Sequence, residues 1–189
     1  MASTDFNVSK LKGALAGGGA RPSLFKFTVT GSPVTLTNLE YFCQVSALPP
    51  LTVTPIEKMY YGRTVKIPGD IVFGDLTTTI YQTEKGTERF NLEDWMDQIN
   101  GHVDNTSALD DSSTANFMGK YSGTGKLIQY SKAGGATTNI LSEVEFVDLW
   151  PQSVTEIALS YDTASDIEQF DVTWAYNYYT TDIGSTSYV

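Results

Sequence analysis

The 189-residue sequence has little of what enzymes and metal sites use, since it contains one Cys and one His. Nucleophilic and acid–base catalysis usually recruit Cys or His, and metal sites need clusters of His, Cys, Asp or Glu. The lone Cys43 cannot form an internal disulfide, and its apolar neighbours predict a small buried thiol. The sequence therefore predicts no catalytic site, no metal site and no cofactor.

Long apolar runs are absent too. No stretch approaches the ~18 residues that cross a bilayer, and the N-terminal region around Lys10 and Lys12 lacks the apolar run of a signal peptide. We expect a chain that is made and kept in a cytoplasm and does not insert into a membrane.

Positive charge is missing from the C-terminal third. The net charge is −10, and nine acids but no Lys or Arg follow Lys132. Segment 91–111 also lacks cations, and its acids are Glu93, Asp94, Asp97, Asp104, Asp110 and Asp111. A protein that grips DNA needs clustered cations to neutralise phosphates. This charge distribution argues against a protein that binds nucleic acid tightly.

Two short patterns suggest chemistry but fit structural roles better. His102 follows a predicted helix, where a cation favours the negative helix end, so we predict a capping or surface role. The segment Gly123-Thr124-Gly125-Lys126 partly matches a phosphate-binding loop. However, Lys120 replaces the required glycine and Leu127 the required hydroxyl, so we predict a glycine turn.

Two acidic patterns are equally weak as sites. Asp162, Asp166 and Glu168 lack the spacing and the glycine of a calcium loop, which indicates a solvated acidic turn. Glu143 and Glu145 share one face of a predicted strand and could in principle act as an acid–base pair. Like charges on an exposed sheet face more often indicate a solvated surface.

Strand patterns fill most of the chain after residue 20. The first runs from Leu24 to Val29, turns at Gly31-Ser32-Pro33 and resumes from Val34 to Val45, which predicts a hairpin. Pro68-Gly69-Asp70 is expected to separate two later strands. Further strands are predicted at Thr52–Glu57, Arg63–Ile67, Leu76–Glu84, Lys126–Ser131, Asn139–Trp150 and from Phe170 onwards.

One amphipathic helix is predicted at about residues 90–101. Four apolar residues have the spacing of one helix face: Leu92, Trp95, Met96 and Ile99. Three acids face away: Glu93, Asp94 and Asp97. Asn91 is the expected N-cap and Gly101 the expected left-handed stop.

The core is predicted from the apolar helix stripe and from the alternation near the C-terminus, where every second residue from 170 is aromatic or aliphatic. The candidate core residues are Phe90, Leu92, Trp95, Met96, Ile99, Phe170, Val172, Trp174 and Tyr176.

About eight to ten strands with one helix and no βαβ rhythm predict a mainly β (α+β) fold, an antiparallel β-sandwich or barrel with one flanking α-helix. We expect a flexible arm at residues 1–20, one domain at 21–180 with a long loop at 101–123, and a tail at 181–189. Long strands leave edges that the domain must protect or use for assembly.

Several stretches, in this order, resemble the tail tube proteins of contractile-tailed, T4-like bacteriophages. They include ARPSLF from Ala20, CQVSALP from Cys43, VKIPGDIVFGDLTTTIYQTE from Val65, the helix with Phe90 and Trp95, LWPQSV from Leu149, and IEQFDVTWAYNYY from Ile167. The resemblance spans roughly residues 20–180. Only the ordered set of blocks is specific.

The resemblance implies a structural subunit without enzymatic activity. It implies homohexameric rings that stack into a hollow tube whose inner wall is a continuous β-barrel built from every subunit. It also implies a surrounding sheath, an internal tape-measure protein, and baseplate and terminator proteins at the two ends. The chain is then a virion tail component assembled in the host cytoplasm, and genomic double-stranded DNA passes through it into the host.

Two interaction hypotheses follow from the charges. Acidic or neutral side chains on the lumen would let DNA pass without specific binding. The outward acids of the helix, Glu93, Asp94 and Asp97, form a candidate sheath-facing patch, because exposed ion pairs of modest strength can break as a sheath slides.

Two alternatives remain open. A related contractile bacteriocin or secretion machine would use a tube protein of the same architecture. A jelly-roll-like carbohydrate-binding module would instead stack sugars on aromatics such as Tyr60, Tyr61 and Trp174.

Overall fold

A computed structural model describes residues 7–15, 18–103, 121–132, 139–162 and 166–183. Within these ranges the chain forms three helices, α1 Val8–Ala14, α2 Leu39–Phe42 and α3 Thr87–Ile99. The strands are β1 Phe25–Thr30, β2 Cys43–Ser46, β3 Leu51–Tyr60, β4 Arg63–Phe73, β5 Leu76–Tyr81, β6 Gly123–Tyr130, β7 Ile140–Val154, β8 Gln169–Ala175 and β9 Tyr178–Ile183.

Two antiparallel sheets share the long strand β7. Its first half lies between β6 and β9, and β1 pairs with the other side of β6. Its second half pairs with β8, which continues through β5 to β2. We call these the first sheet (β1, β6, β7, β9) and the second sheet (β7, β8, β5, β2). The predicted mainly β, antiparallel fold is confirmed.

The chain passes from one sheet to the other at a single corner. Asp148 in the middle of β7 has a left-handed backbone, with φ of 57°. Asn177, in the break between β8 and β9, donates its side-chain N–H to Asp148 Oδ2 at 2.8 Å and its backbone N–H to Val147 O at 3.1 Å. Two separate segments therefore change sheet at the same place and are held together there.

Aromatic side chains fill the space between the sheets and α3. Trp174 has ring centroids 5.8 Å from Phe27 and 5.9 Å from Trp95, in tilted arrangements that favour aromatic pairs. Both indole N–H groups have acceptors, Thr78 Oγ1 at 2.8 Å for Trp174 and Tyr121 O at 2.7 Å for Trp95. Burial of these rings therefore leaves neither donor unsatisfied.

Of the candidate core residues, Leu92, Trp95, Phe170, Val172 and Trp174 are buried. Met96, Ile99 and Tyr176 are partly buried.

Phe90 lies outside the core, with a side chain that is 65% exposed. A separation of two residues turns a helix by about 200°, so Phe90 faces away from Leu92. It shares the outer helix face with Glu93, Asp94 and Asp97.

The expected hairpin from Leu24 to Val45 is wrong, because β1 pairs with β6, about 100 residues later in the chain. The intervening segment forms local turns instead. Ser32 Oγ donates to Val34 O at 2.6 Å, and Asn38, with φ of 62°, precedes the short helix α2. Leu39 at the start of this helix is buried.

The expected helix ends are also wrong. The helix begins at Thr87 after Gly86, whose φ is 68°, and ends before Asn100, which is extended. A carboxylate oxygen of Glu88 accepts hydrogen bonds from Thr83 N at 3.1 Å and Thr83 Oγ1 at 2.8 Å, which fixes the approach to the helix. Asn91 and Gly101 are therefore neither cap nor stop.

Two predicted turns are strands. Gly123-Thr124-Gly125-Lys126 opens β6, where a Cβ on Gly125 would lie 2.7 Å from Leu149 Cδ2. Pro68-Gly69-Asp70 lies within β4. The long loop expected at 101–123 falls mostly on residues 104–120, outside the described ranges. No helix of the described chain has the length and apolar character to cross a membrane.

Substitution of Thr78 by Val should lower the free energy of unfolding by about 1–3 kcal/mol, because the buried N–H of Trp174 loses its acceptor while the side-chain shape is kept. Thr77→Val, on the exposed face of the same strand, is the matched control and should change stability by less than about 0.5 kcal/mol. Urea unfolding monitored by tryptophan fluorescence measures both. Equal stability of the two variants would contradict the role of this hydrogen bond.

Candidate assembly interface

Strands β3 and β4 form a hairpin that pairs with no other described strand. Every residue of β3 is exposed, and so is all of β4 except Gly69 and Phe73, which are partly buried. Its exposed large apolar side chains are Leu51, Val53, Ile56, Met59, Tyr60, Tyr61, Val65, Ile67, Ile71 and Val72. This is a large apolar area on the surface of one subunit.

The hairpin is closed by a two-residue turn, Tyr61-Gly62, with φ values of 44° and 78°. Two consecutive positive φ angles match the turn type whose twist suits a β-hairpin. Tyrosine rarely adopts such a backbone, and the Tyr61 side chain is 90% exposed. The tip therefore presents an aromatic ring to the surroundings.

A bulge at Gly69 shifts the register of this hairpin by one residue. Val53 pairs with Ile71 whereas Pro55 pairs with Pro68, so β4 contains one extra residue. A Cβ on Gly69 would lie 2.6 Å from the carbonyl oxygen of Thr54, which is too close for any residue other than glycine.

The register assigns the side chains of the outer hairpin to two faces. One face, the basic face, carries two cations and no acid, and consists of Ile56, Lys58, Tyr60, Arg63, Val65 and Ile67. On the opposite face Glu57 pairs with Lys66 at 3.1 Å. The uncompensated positive charge of the tip therefore lies on the basic face.

The base of the hairpin is fixed to the domain by Tyr176. Its hydroxyl donates to the carbonyl oxygen of Gly74, and its ring lies edge-on to Phe73 and Phe146 at 6.3 and 5.0 Å. Gly74 N–H in turn donates to Pro50 O at 3.0 Å, which closes the hairpin base. Burial raises the pKa of Tyr176 to about 12, so the hydroxyl remains a donor at neutral pH.

A groove of about 680 Å³ lies on the second sheet, beside β2 and the segment that follows β7. Its apolar lining is Val45, Ile157, Ala158, Ile167 and Phe170. Its carboxylates are Glu156, Asp166, Glu168 and Asp171, and no Lys or Arg is among the described residues that line it. We call it the acidic groove. Strand β2 pairs only with β5 among the described strands, so its outer edge borders this groove unpaired.

The predicted acidic patch of α3 is on the surface, and each acid has a local partner. Glu93 pairs with Arg89 at 2.7 Å, and Asp94 accepts from Gln98 at 3.0 Å. Asp97 accepts hydrogen bonds from the backbone N–H and the ring of His102, which lower its pKa. His102 is thus a surface residue at the helix end, as predicted.

The remaining candidates for chemistry have structural roles. Cys43 is buried, which raises its pKa to about 12 and keeps it a thiol. Lys126 lies between Glu143 and Glu145, at 3.1 and 2.9 Å, so these acids are ion-paired rather than simply solvated. The described residues contain no group of three His, Cys, Asp or Glu able to hold a metal.

The sequence predicts part of each hairpin strand, at Thr52–Glu57 and Arg63–Ile67, but neither their pairing nor their exposure, and it does not predict the groove. The alternation of apolar residues on both sides of Tyr61-Gly62 is a usable signal for the hairpin. The groove has no such signal, because its walls come from four separate segments of the chain. Trp174, proposed above for sugar stacking, is fully buried and cannot be a binding platform.

Replacement of Tyr176 by Phe should loosen the hairpin base, since the Gly74 carbonyl loses its donor. Amide exchange at Gly74 should accelerate about 5–10-fold, which corresponds to one hydrogen bond of about 1 kcal/mol. Tyr161→Phe, at a fully exposed tyrosine, is the control and should leave the exchange rate unchanged. Unchanged exchange in Tyr176→Phe would refute the anchoring role.

The same residue predicts a pH dependence. Its pKa in the folded state, about 12, lies above the ordinary value of 10, so the unfolded chain loses the proton first. Stability from this group is therefore complete below pH 10 and falls as pH rises towards 12. The stability advantage of the wild type over Tyr176→Phe should shrink between pH 10 and pH 12, measured by urea unfolding. An advantage that grew with pH would contradict the assignment.

Known proteins share both the sequence pattern and the fold of this chain. The phage tail tube protein family model matches residues 4–182. The tail tube proteins gp19 of Enterobacteria phages T4 and T6 are 27% and 28% identical over 164 residues, which is 87% of this chain and 93% of theirs.

Solved structures share the fold. An extended sheath-tube complex of an extracellular contractile injection system superposes with a TM-score of 0.60 at 16% identity, over 94% of this chain and 98% of that one. A sheath/tube terminator of such a system superposes with a TM-score of 0.62 at 16% identity, over 87% of this chain and 96% of that one. The family match covers nearly the whole chain, and the chain therefore belongs to the phage tail tube protein family.

Proposed function

We propose that this structural virion protein builds the tail tube of a contractile-tailed phage. Copies close into homohexameric rings, and the rings stack into a hollow conduit inside the sheath, through which genomic DNA is ejected. The observation that carries the proposal is the β3–β4 hairpin, which is apolar on both faces and covered by no described part of its own chain.

An isolated two-stranded hairpin is marginally stable in water, and exposed apolar strands promote association. Here one end is anchored by Tyr176 while ten large apolar side chains remain exposed. Burial of such side chains is worth about 25 cal/mol per Å². Cover by other copies therefore supplies a strong driving force for assembly.

Ring closure is supported by the edges of the first sheet. β1 pairs only with β6 and β9 only with β7 among the described strands, so both edges of this sheet are open. Copies placed side by side can continue the sheet from the β9 edge of one subunit to the β1 edge of the next. A closed ring of such sheets is a barrel without edges, and its inner face is the channel wall.

Passage of DNA without binding is supported by the charges on the polar face of the first sheet. Its two lysines are both ion-paired, Lys26 with Glu40 and Lys126 with Glu143 and Glu145. Phosphates moving along this face would meet no uncompensated cation on its described strands. Because no free cation on these strands would displace counterions from the phosphates, we expect the duplex to pass without binding to this face.

Further partners follow from family membership. We infer an internal tape-measure protein, a baseplate and a terminator at the tube ends, and assembly in the host cytoplasm. The arm at 1–20, the 101–123 region and the tail at 181–189 are candidates for contacts between rings.

A second candidate is the tube of a contractile bacteriocin or injection machine. The fold match to an injection-system sheath-tube complex favours it. Genes beside this one separate the two, since a phage tube gene lies with capsid and DNA-packaging genes.

Assembly tests the proposal directly. Purified protein, alone or seeded on baseplates, should form tubes with a central hole in negative-stain electron microscopy. Val53→Asp combined with Ile71→Asp places two charges on paired positions of the hairpin and should abolish tubes without unfolding the domain. Both side chains are about half exposed in the subunit, so circular dichroism should be unchanged.

The matched control is Tyr41→Asp, at an apolar residue of α2 that is 75% exposed and lies outside the hairpin and the proposed ring contacts. It should assemble as the wild type does. Wild-type protein that stays monomeric at high concentration and on baseplates would refute a tube function.

Sheath binding is tested on the outer face of α3. Phe90, exposed among Glu93, Asp94 and Asp97, adds an apolar anchor to this acidic patch. Reversing the three acids to Lys should leave tubes intact and lower sheath polymerisation around them at least about ten-fold, because a basic sheath element would then be repelled. Electron microscopy of tubes mixed with sheath protein measures this. Normal sheathing of the variant tubes would exclude the patch.

A further inference from the structure

The acidic groove and the basic face of the hairpin are complementary in chemistry. Among the described residues, the groove combines an apolar lining with four carboxylates and no lining cation. The basic face combines four apolar side chains with Lys58 and Arg63 and no acid. Among the described residues neither cation has an ion-pair partner, and the same holds for Glu156 and Glu168. Each surface offers what the other lacks.

The cation at the rim of the groove, Arg89, is already paired with an acid outside the groove and does not neutralise the groove's negative charge. Arg89 reaches its rim, donates to Thr155 O at 2.7 Å and lies 5.9 Å from the ring of Phe170. However, Glu93 already pairs with this guanidinium at 2.7 Å. The groove therefore keeps its negative charge and attracts a cationic occupant.

The two surfaces lie towards opposite ends of the second sheet. The hairpin leaves the sheet at the end where Leu76 pairs with Trp174. The groove is lined from the other end, where Tyr81 pairs with Gln169, and by the segment after β7. A contact between different patches at opposite ends joins copies head to tail, and repetition of such a contact gives an open stack.

We propose that the basic face of the hairpin of one copy docks in the acidic groove of a second copy in the adjacent ring. Lys58 and Arg63 meet the groove carboxylates, while Tyr60 and its apolar neighbours cover Val45 and Ile157. This inference rests on the proposed tube function and names the two surfaces that join the rings. It also explains why acids without cations fill the C-terminal third, which supplies every groove carboxylate.

Two charge-reversal variants test the contact. The tip variant is Lys58→Glu with Arg63→Glu, and the groove variant is Glu156→Lys with Glu168→Lys. All four side chains are exposed, so the domain should fold normally, which circular dichroism checks. Each variant alone should give at least about ten-fold fewer tubes than the wild type at low salt, because like charges then face each other.

Mixing the two defective variants gives the decisive result. A reversed tip fits a reversed groove, and a native tip fits a native groove, so alternating copies satisfy every contact. An equimolar mixture should therefore recover tubes, visible in negative stain and as rapidly sedimenting material. Recovery cannot come from a general loss of folding or solubility.

Asp94→Lys with Asp97→Lys is the matched control, since it makes the same charge change on α3 outside the groove. It should form tubes alone and should not rescue the tip variant. A groove variant that assembles as the wild type does, or a mixture that stays unassembled, would overturn the docking while the tube function stands. Absence of wild-type tubes would instead overturn the tube function.

Discussion

The corner at Asp148 and Asn177 is the constraint on which the domain depends. A strand as long as β7 can serve two sheets only if its backbone changes direction, and the left-handed Asp148 provides that change at a cost that local hydrogen bonds offset. Asn177 supplies two of them and interrupts β8 and β9 at the same level. The two sheets of the sandwich therefore contain the two halves of β7, and they meet at this corner and enclose the core around Trp174.

The corner also connects the core to assembly, because its neighbour Tyr176 anchors the hairpin. The ring of Tyr176 packs on Phe146 of β7, and its hydroxyl binds the Gly74 carbonyl at the hairpin base. The orientation of the exposed arm is therefore set by the same residues that join the sheets. A subunit can therefore fold completely while its hairpin, anchored at the base, remains apolar and exposed.

The sequence predicts local alternation well and long-range pairing poorly. Phe170, Val172 and Trp174 are recognisable as a buried row because period two is a local property of a strand. The partner of β1 is not, since pairing with β6 depends on contacts across about 100 residues. Phe90 shows the same limit within a helix, where one residue outside the 3.6-residue stripe faces solvent. The groove could not be predicted from the sequence, because it forms only when four separate segments meet.

The net negative charge of the subunit opposes assembly. A subunit with a charge of −10 repels its copies, and each added ring increases this repulsion. Cations in a general distribution would relieve it but would also bind DNA in the channel. Lys58 and Arg63 lie on the hairpin, away from the ion-paired polar face of the first sheet, so the proposed docking places attraction where copies meet. In the proposed tube, the same charge pattern would account both for adhesion between rings and for a channel that does not bind its DNA.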